Sequence, residues 1–319
     1  MLYYLRMKSK DFLSIADLTP DSIQGLISAA TAMKSEGWSN KLNGKILALL
    51  FEKPSLRHRA SFEVAMRQLG GQCFYLSPQE VGLGQRESTA DVARVLSGYV
   101  DCIAARTFSH HTLEELGKYS RVPVINSLSD LEHPCQALAD LLTIYEKKGD
   151  LKGLNLAFIG DSNNVSNSLV LAAALTGMNF SIASPEGYDF KANIINLAND
   201  FAAESGARIY CTRDPREAVK GADIVYTDVW TSMGQESETK KRQKAFAGYQ
   251  VNSKLMSLAR VDAIFMHDLP AHRGEEVTDD IMDGAQSVVF LQSENKMHML
   301  KALLLDILGG LEIEQLNFR

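Results

Sequence analysis

Short runs of Val, Ile, Leu and Phe alternate with longer segments of helical period along most of the chain, the pattern of parallel sheets covered by helices on both faces. In the first half the runs Lys45–Phe51, Gln72–Leu76, Cys102–Arg106 and Val122–Ile125 are expected as strands. Helices are expected between them, at Ser22–Met33 with Asp21 as its cap, Arg57–Leu69, Thr89–Leu96 and Thr112–Tyr119. A further periodic segment, Gln136–Lys148, stops at Gly149, and the polar stretch Asp150–Gly153 is the expected domain boundary. The rhythm then restarts, with strands expected at Asn155–Ile159, Asn179–Ser184, Arg208–Cys211, Ile224–Thr227 and Ala263–Met266. The chain closes on an amphipathic helix, Glu294–Leu311, with Met297, Leu300, Leu303, Leu304 and Ile307 on one face and a break at Gly309-Gly310. The fold class is α/β in two domains, 1–149 and 150–293, with the segment 294–319 free by pattern alone to pack on either.

Length agrees, since 319 residues exceed what one core usually holds. The balance of 33 Lys and Arg against 39 Asp and Glu leaves a net charge of −6, which weighs against a nucleic-acid partner held by bulk electrostatics. Any anion site must be local. The longest apolar stretches, such as Leu169–Leu175, fall far short of the roughly 20 residues that cross a bilayer, so no membrane partner is expected. Met1–Lys10 lacks the layout of a signal peptide, which makes the cytoplasm the expected location, and Met7 is a second candidate start. Cys73, Cys102, Cys135 and Cys211 are widely spaced, so they are expected as core thiols rather than disulfide or zinc ligands.

The sharpest local feature is the segment Phe51–Glu63, which leaves a strand and opens a helix while carrying Ser55, Leu56, Arg57, His58 and Arg59. Free N–H groups of a first helical turn favour an anion, and Ser55, Arg57 and His58 add donors there. The plain reading, a surface helix start with ordinary arginines, stands beside it. Arg106 ends a strand, and His133-Pro-Cys-Gln136 opens the next long helix, so both fall at the carboxyl edge of the same sheet, where open α/β sheets bind ligands. In the second half Asp228 follows a strand, either as a helix cap or as an anionic partner for an amine. Asn163 and Asn164 could be turn residues, and no Gly-x-Gly-x-x-Gly pattern points to a dinucleotide.

With these residues in place, the chain resembles the aspartate and ornithine carbamoyltransferases, and the ornithine branch most closely. Five segments carry the resemblance in order: Ser55-Leu-Arg-His-Arg59, His133-Pro-Cys-Gln136, Gly160-Asp-Ser-Asn-Asn164, Asp228-Val-Trp-Thr-Ser-Met-Gly234 and His267-Asp-Leu-Pro-Ala271. The resemblance implies carbamoyl phosphate on the first domain, an amino acid on the second, and return of the C-terminal helix to the first. It also implies a homotrimer or a multiple of trimers, with Gly82–Glu87 reaching toward a neighbouring subunit. Ser55, the Leu56 backbone, Arg57 and His58 are then expected to hold the phosphate, with Arg106 and His133 polarising the carbonyl. Gln136 and the Leu269 carbonyl orient the carbamoyl nitrogen, and Arg59 anchors the loop through an acid such as Glu87. Asp228, Asn164, Ser232 and Met233 form the ornithine pocket. The implied reaction is direct attack of the δ-amine on carbamoyl phosphate, giving citrulline and phosphate with no cofactor or metal, as in arginine biosynthesis.

Four positions depart from the family pattern. Leu56 and His58 stand where Thr is usual, Lys296 replaces an arginine that meets carbamoyl phosphate, and Asp268 replaces a Cys near both substrates. Arg106, His133 and Asp268 are the expected catalytic residues. A carboxylate at 268 opposes amine attack unless it is balanced, with Lys296 or His58 as the expected partner. The other outcomes are a different acceptor, such as putrescine, an acylated ornithine or aspartate, or a ligand-binding relative without turnover.

Overall fold

The computed structural model describes residues 10–84, 86–232 and 234–309. The chain falls into two units, Met1–Leu142 with Glu294–Arg319, and Thr143–Ser293. The divisions lie inside the helices Pro134–Lys148 and Val289–Leu308.

The first unit holds four strands, β1 (Ile46–Phe51), β2 (Gln72–Leu76), β3 (Cys102–Arg106) and β4 (Val124–Leu128), all parallel in the order β2-β1-β3-β4. Every residue of β3 is buried, and all of β1 but its first residue. That is why both read as unbroken apolar runs: each is covered on two faces. Helices Leu56–Gln68, Thr89–Leu96 and His110–Tyr119 make the crossovers, and Leu113 and Leu116 of the last pack with Ala48, Leu50 and Ile103 in one cluster. From β1 the chain moves outward to β2 and then returns to β1's other side as β3. The segments after β1 and β3 therefore leave in opposite directions, opening a crevice at the carboxyl ends.

The last helix belongs to this unit from Glu294 onward. It is pinned by polar contacts: Lys34 Nζ donates to Asn295 Oδ1 at 2.8 Å, and buried Lys301 donates to the carbonyls of Met33 and Gly37. Each buried ammonium contact satisfies carbonyls at the end of the first helix, which lack partners within it.

The second unit repeats the plan with β5 (Asn155–Ile159), β6 (Asn179–Ala183), β7 (Ile209–Thr212), β8 (Ile224–Thr227) and β9 (Ile264–His267), parallel in the order β7-β6-β5-β8-β9. Its reversal of strand order lies between β5 and β8. The helix Asn164–Thr176 that follows β5 is buried from Val165 through Leu175, as its apolar-all-round sequence requires.

Some expectations are corrected. The first helix runs Pro20–Glu36 and is capped by Thr19 rather than Asp21, because Pro20 supplies the preset first turn and Thr19 forms a reciprocal box with Ser22. β4 continues through Asn126 and Ser127, polar residues that are nonetheless buried. The last helix starts at Val289, not Glu294, and its expected end at Leu311 lies outside the described residues. Cys102 and Cys135 are core thiols, but Cys73 is half-buried and Cys211 is exposed, since β7 is an edge strand with an open face. Replacing Thr19 by Ala should cost about 1 kcal/mol of stability. Asp21→Ala should cost less, and denaturant unfolding of the two variants checks the assignment of the cap.

Candidate active site

In the first unit the loop after β1 ends at Ser55, which caps the helix Leu56–Gln68 by accepting from the His58 N–H at 3.3 Å. One turn of helix brings the His58 ring back over the cap, with Nδ1 2.8 Å from Ser55 Oγ. Arg106, the last residue of β3, reaches the same nitrogen with Nη1 at 3.0 Å. His133, just before the helix Pro134–Lys148, places Nε2 at 2.9 Å from His58 Nε2, and the two rings stack 4.7 Å apart. The carboxyl edge of the sheet thus gathers residues from three loops. His58, Arg106, His133, Gln136 and Lys296 are all buried. Burial and then the charges of Lys296, His133, Arg106 and Arg57 hold the His58 pKa well below that of free histidine.

Gln136 directs its amide nitrogen to Asp140 Oδ1 at 2.8 Å, leaving Oε1 buried with no hydrogen-bond partner among the described residues. An unfilled acceptor near a group of cations suits a ligand that presents an N–H as well as negative charge. Arg59 turns elsewhere. Its Nε donates to Glu63, one helical turn on, at 2.7 Å, and its guanidinium lies 4.4 Å over the Tyr75 ring. Leu56 is exposed, which limits its part in any ligand contact to the backbone.

In the second unit Asp228 follows β8 and is buried. Its Oδ2 accepts from Asn163 Nδ2 at 2.5 Å and its Oδ1 from the Val229 N–H at 2.7 Å. Asn163, after β5, uses its Oδ1 to cap the helix Asn164–Thr176 through Val165 and Ser166, so it serves the helix and the carboxylate at once. Asp268, just past β9, completes the group: its carboxyl is hydrogen-bonded to that of Asp228. Burial first, and Asp268 second, raise the Asp228 pKa well above the carboxylate range, so the pair holds a proton between them. The balancing partner of Asp268 within its unit is therefore Asp228.

Behind this pair, buried His267 lies between Glu276, at 3.2 Å from Nε2, and Asp268, at 3.5 Å from Nδ1. Burial opposes a charge on the ring, but the three carboxyls outweigh it and move the pKa up to about 9. The Leu269 N–H, however, donates to Nδ1 at 2.9 Å, which only a ring protonated on Nε2 alone can accept. A backbone N–H cannot turn away from the ring, so the neutral form facing Glu276 prevails in the empty site. Asp228, His267 and Asp268 bring possible metal-ligand atoms within 4.8 Å of one another. The Asn163 and Leu269 donors already point at Asp228 Oδ2 and His267 Nδ1, so a cation would compete with these bonds.

Asn164 opens the buried helix and is half-buried, as is Ser232, whose N–H is taken by Gln235 Oε1 at 3.1 Å. Met233 lies outside the described residues. Leu269 adopts φ +61°, uncommon for a branched residue, where the expected ligand-facing carbonyl sits. Three contributors were missed: Asn163 as the partner of Asp228, Glu276 behind His267, and buried Arg242. Arg242 joins Asp161, at 2.7 Å, to the Trp230 carbonyl at 3.0 Å, and so ties the turn after β8 to the turn after β5. In the sequence it sits in a Lys-rich run that reads as a solvated face; only the half-buried acid at 161, its pKa raised to about 6 chiefly by desolvation, betrays the need for a partner.

The acid pair also sets a pH dependence. A carboxyl whose pKa is raised by folding favours the native state at low pH, and that advantage is lost as pH climbs from about 4 through the raised value. Asp268→Asn removes the repulsion while leaving an amide donor for Asp228. The variant should melt above the parent at pH 8, with the gap closing toward pH 5, as thermal unfolding across that range will show.

Comparison with known proteins agrees with this geometry. Residues 10–146 match the family described as the aspartate/ornithine carbamoyltransferase carbamoyl-P binding domain, and residues 152–307 match its Asp/Orn binding domain. A protein from Anoxybacillus flavithermus named ornithine carbamoyltransferase is 52% identical over 308 residues, 95% of this chain and 98% of its own. The solved ornithine carbamoyltransferase of Pyrococcus furiosus superposes with a TM-score of 0.92 at 48% identity, covering 96% of this chain and 99% of that one. The anabolic ornithine carbamoyltransferase of Campylobacter jejuni does so with 0.91 at 42%, covering 94% and 99%. Both halves match in sequence order and across nearly the full length, and the chain belongs to the aspartate/ornithine carbamoyltransferase family.

Proposed function

We infer that the chain is an ornithine carbamoyltransferase, making citrulline and phosphate from carbamoyl phosphate and L-ornithine in the direction of arginine biosynthesis. The observation that carries the donor is the composition of the first unit's crevice. Cations and N–H donors meet a doubly charged phosphate there, and the open Gln136 Oε1 meets an amide N–H, a combination that inorganic phosphate would leave half used. Ser55, the Leu56 backbone, Arg57, His58 and Lys296 bind the phosphate. Arg106 and His133 face the carbonyl oxygen, where negative charge grows as the amine adds.

On the acceptor side Asp228 pairs with the α-ammonium, with Asn164, Ser232 and Met233 shaping the pocket. As the ammonium binds, it displaces the proton that Asp228 and Asp268 share, and Asp268 is left charged beside His267. The δ-amine, with an ordinary pKa of about 10, must arrive uncharged to attack. Its nitrogen forms a bond to the carbamoyl carbon, the tetrahedral intermediate collapses, the C–O bond to phosphate breaks, and the leaving phosphate takes the proton that the nitrogen gives up. Holding the reactants together and stabilising the oxyanion each supply several kcal/mol.

The protein is further proposed to act in the cytoplasm as a homotrimer. No helix among the described residues is long and apolar enough to cross a membrane. Exposed Leu56, Phe74 and Phe108 supply apolar surface on the first unit for neighbouring copies, and light scattering should return three times 35.2 kDa.

Formation of the carbamoylated amine from carbamoyl phosphate should be measured with ornithine, putrescine, N-acetylornithine and aspartate as acceptors. Ornithine should lead by at least about 100-fold in kcat/KM, as expected when a buried partner for a charged group goes unmatched. A lead for any other acceptor refutes the assignment. Asp268→Cys should keep ornithine activity near that of the parent. A far faster variant would mean that the Asp228 and His267 contacts fail to balance the carboxylate.

A further inference from the structure

Ser55 Oγ, Arg106 and His133 meet the His58 ring among the described residues, and their donor and acceptor capacities constrain its state. A guanidinium only donates, so the Nδ1 atom contacted by Arg106 at 3.0 Å must accept and carries no proton. The ring proton is then on Nε2, where it points at His133 Nε2, 2.9 Å away. His133 must accept there, which leaves its own proton on Nδ1. In the empty site His58 is therefore neutral and plays an anion's part: it receives the N–H of Arg106 and occupies the inner nitrogen of His133.

The groups that face His58 come from every element around it. Arg57 lies on its own helix, Arg106 ends β3, His133 precedes the helix Pro134–Lys148, and Lys296 comes from the C-terminal helix; the Ser55 hydroxyl is a further neighbour. The strongest neighbouring effects on it all come from basic groups. A ring so placed resists a proton while the crevice is empty. A bound dianion reverses the local sign, because it pairs with the same cations and attracts a further one. A proton from solvent then adds to Nδ1, and the imidazolium can no longer accept from Arg106. Arg106 Nη1 is released to the ligand, and both ring nitrogens of His58 become donors.

We propose that His58 is a proton-coupled placeholder for carbamoyl phosphate: it holds Arg106 and His133 in register in the empty site, and takes up one proton as the donor binds and replaces it. This rests on the assignment of carbamoyl phosphate to the first unit and extends it, since a threonine hydroxyl, the usual group at this position, binds phosphate with no change of charge. The consequence is a pH-dependent donor affinity. Below the free-state pKa of His58 binding takes up no proton; between the free and bound values, affinity falls by up to tenfold for each pH unit, and above the bound value it levels off.

The test is titration calorimetry of freshly dissolved carbamoyl phosphate, without acceptor, at pH 8 in two buffers of different ionisation enthalpy. The parent should take up between about half and one proton per site. His58→Thr should still bind and take up close to none, and the slope of log Kd against pH should flatten between pH 7 and 9. Uptake that persists unchanged in His58→Thr overturns the proposal, as does binding to the parent without uptake. In parallel, ring-nitrogen NMR of the parent should show His58 protonated on Nε2 alone when empty and on both nitrogens when loaded; an imidazolium in the empty protein also overturns it. Because no acceptor is present, proton uptake in a protein that fails to carbamoylate ornithine would sustain this proposal and overturn the acceptor assignment instead. Failure of carbamoyl phosphate to bind the parent overturns both.

Discussion

A parallel sheet can place unlike side chains side by side at one edge only where its strand order reverses, and each half of this protein reverses once. Between β1 and β3, and again between β5 and β8, neighbouring strands send their following segments in opposite directions. Phe51 pairs with Arg106 and Ile159 with Thr227 at the last rungs of these two ladders. The residues that follow, the Ser55 loop in the first unit and Asn163 and Asp228 in the second, are thereby each delivered to the carboxyl edge of their own sheet. The rest of the chemistry depends on this placement, since no local motif alone assembles either cluster.

The two edges are furnished with opposite charge, and each carries its own electrostatic cost while empty. Arg57, Arg106 and Lys296 surround a pair of stacked imidazoles, while Asp228 and Asp268 share a proton over His267. Like charges packed without a ligand destabilise the native state, and substrate binding relieves them. In both clusters a protonation state softens the repulsion: His58 stays unprotonated among cations, and the acid pair stays protonated among acids. Two of the departures from the family pattern, His58 and Asp268, stand in these two clusters.

The α/β class, most strand positions and the motif-bearing loops were legible because the strands are buried on both faces and read as apolar runs. The donor-side cluster was also legible, because Ser55, Arg57 and His58 sit at a helix start and Arg106 and His133 at strand and helix ends. What escaped was set by contacts distant in sequence. Asn163 looks like a turn residue until the β5–β8 pairing brings it against Asp228, 65 positions away. Arg242 hides in a basic run, and Glu276 is buried behind His267 with no local pattern to mark it. Polar residues buried in β4 defeated the apolar rule for its length, and Thr19 outcompeted Asp21 as a cap through a reciprocal bond that only geometry reveals.

The central claim is a division of labour in which one sheet edge holds the carbamoyl donor and the other the amino acid. Steady-state kinetics of Arg57→Gln and Asp228→Asn, each measured against both substrates, test it most directly. Arg57→Gln should raise the KM for carbamoyl phosphate with little change for ornithine. Asp228→Asn should do the reverse, each by at least about tenfold, as loss of one member of a buried charge pair implies. If Asp228→Asn weakens carbamoyl phosphate instead, or Arg57→Gln weakens ornithine alone, the division is contradicted.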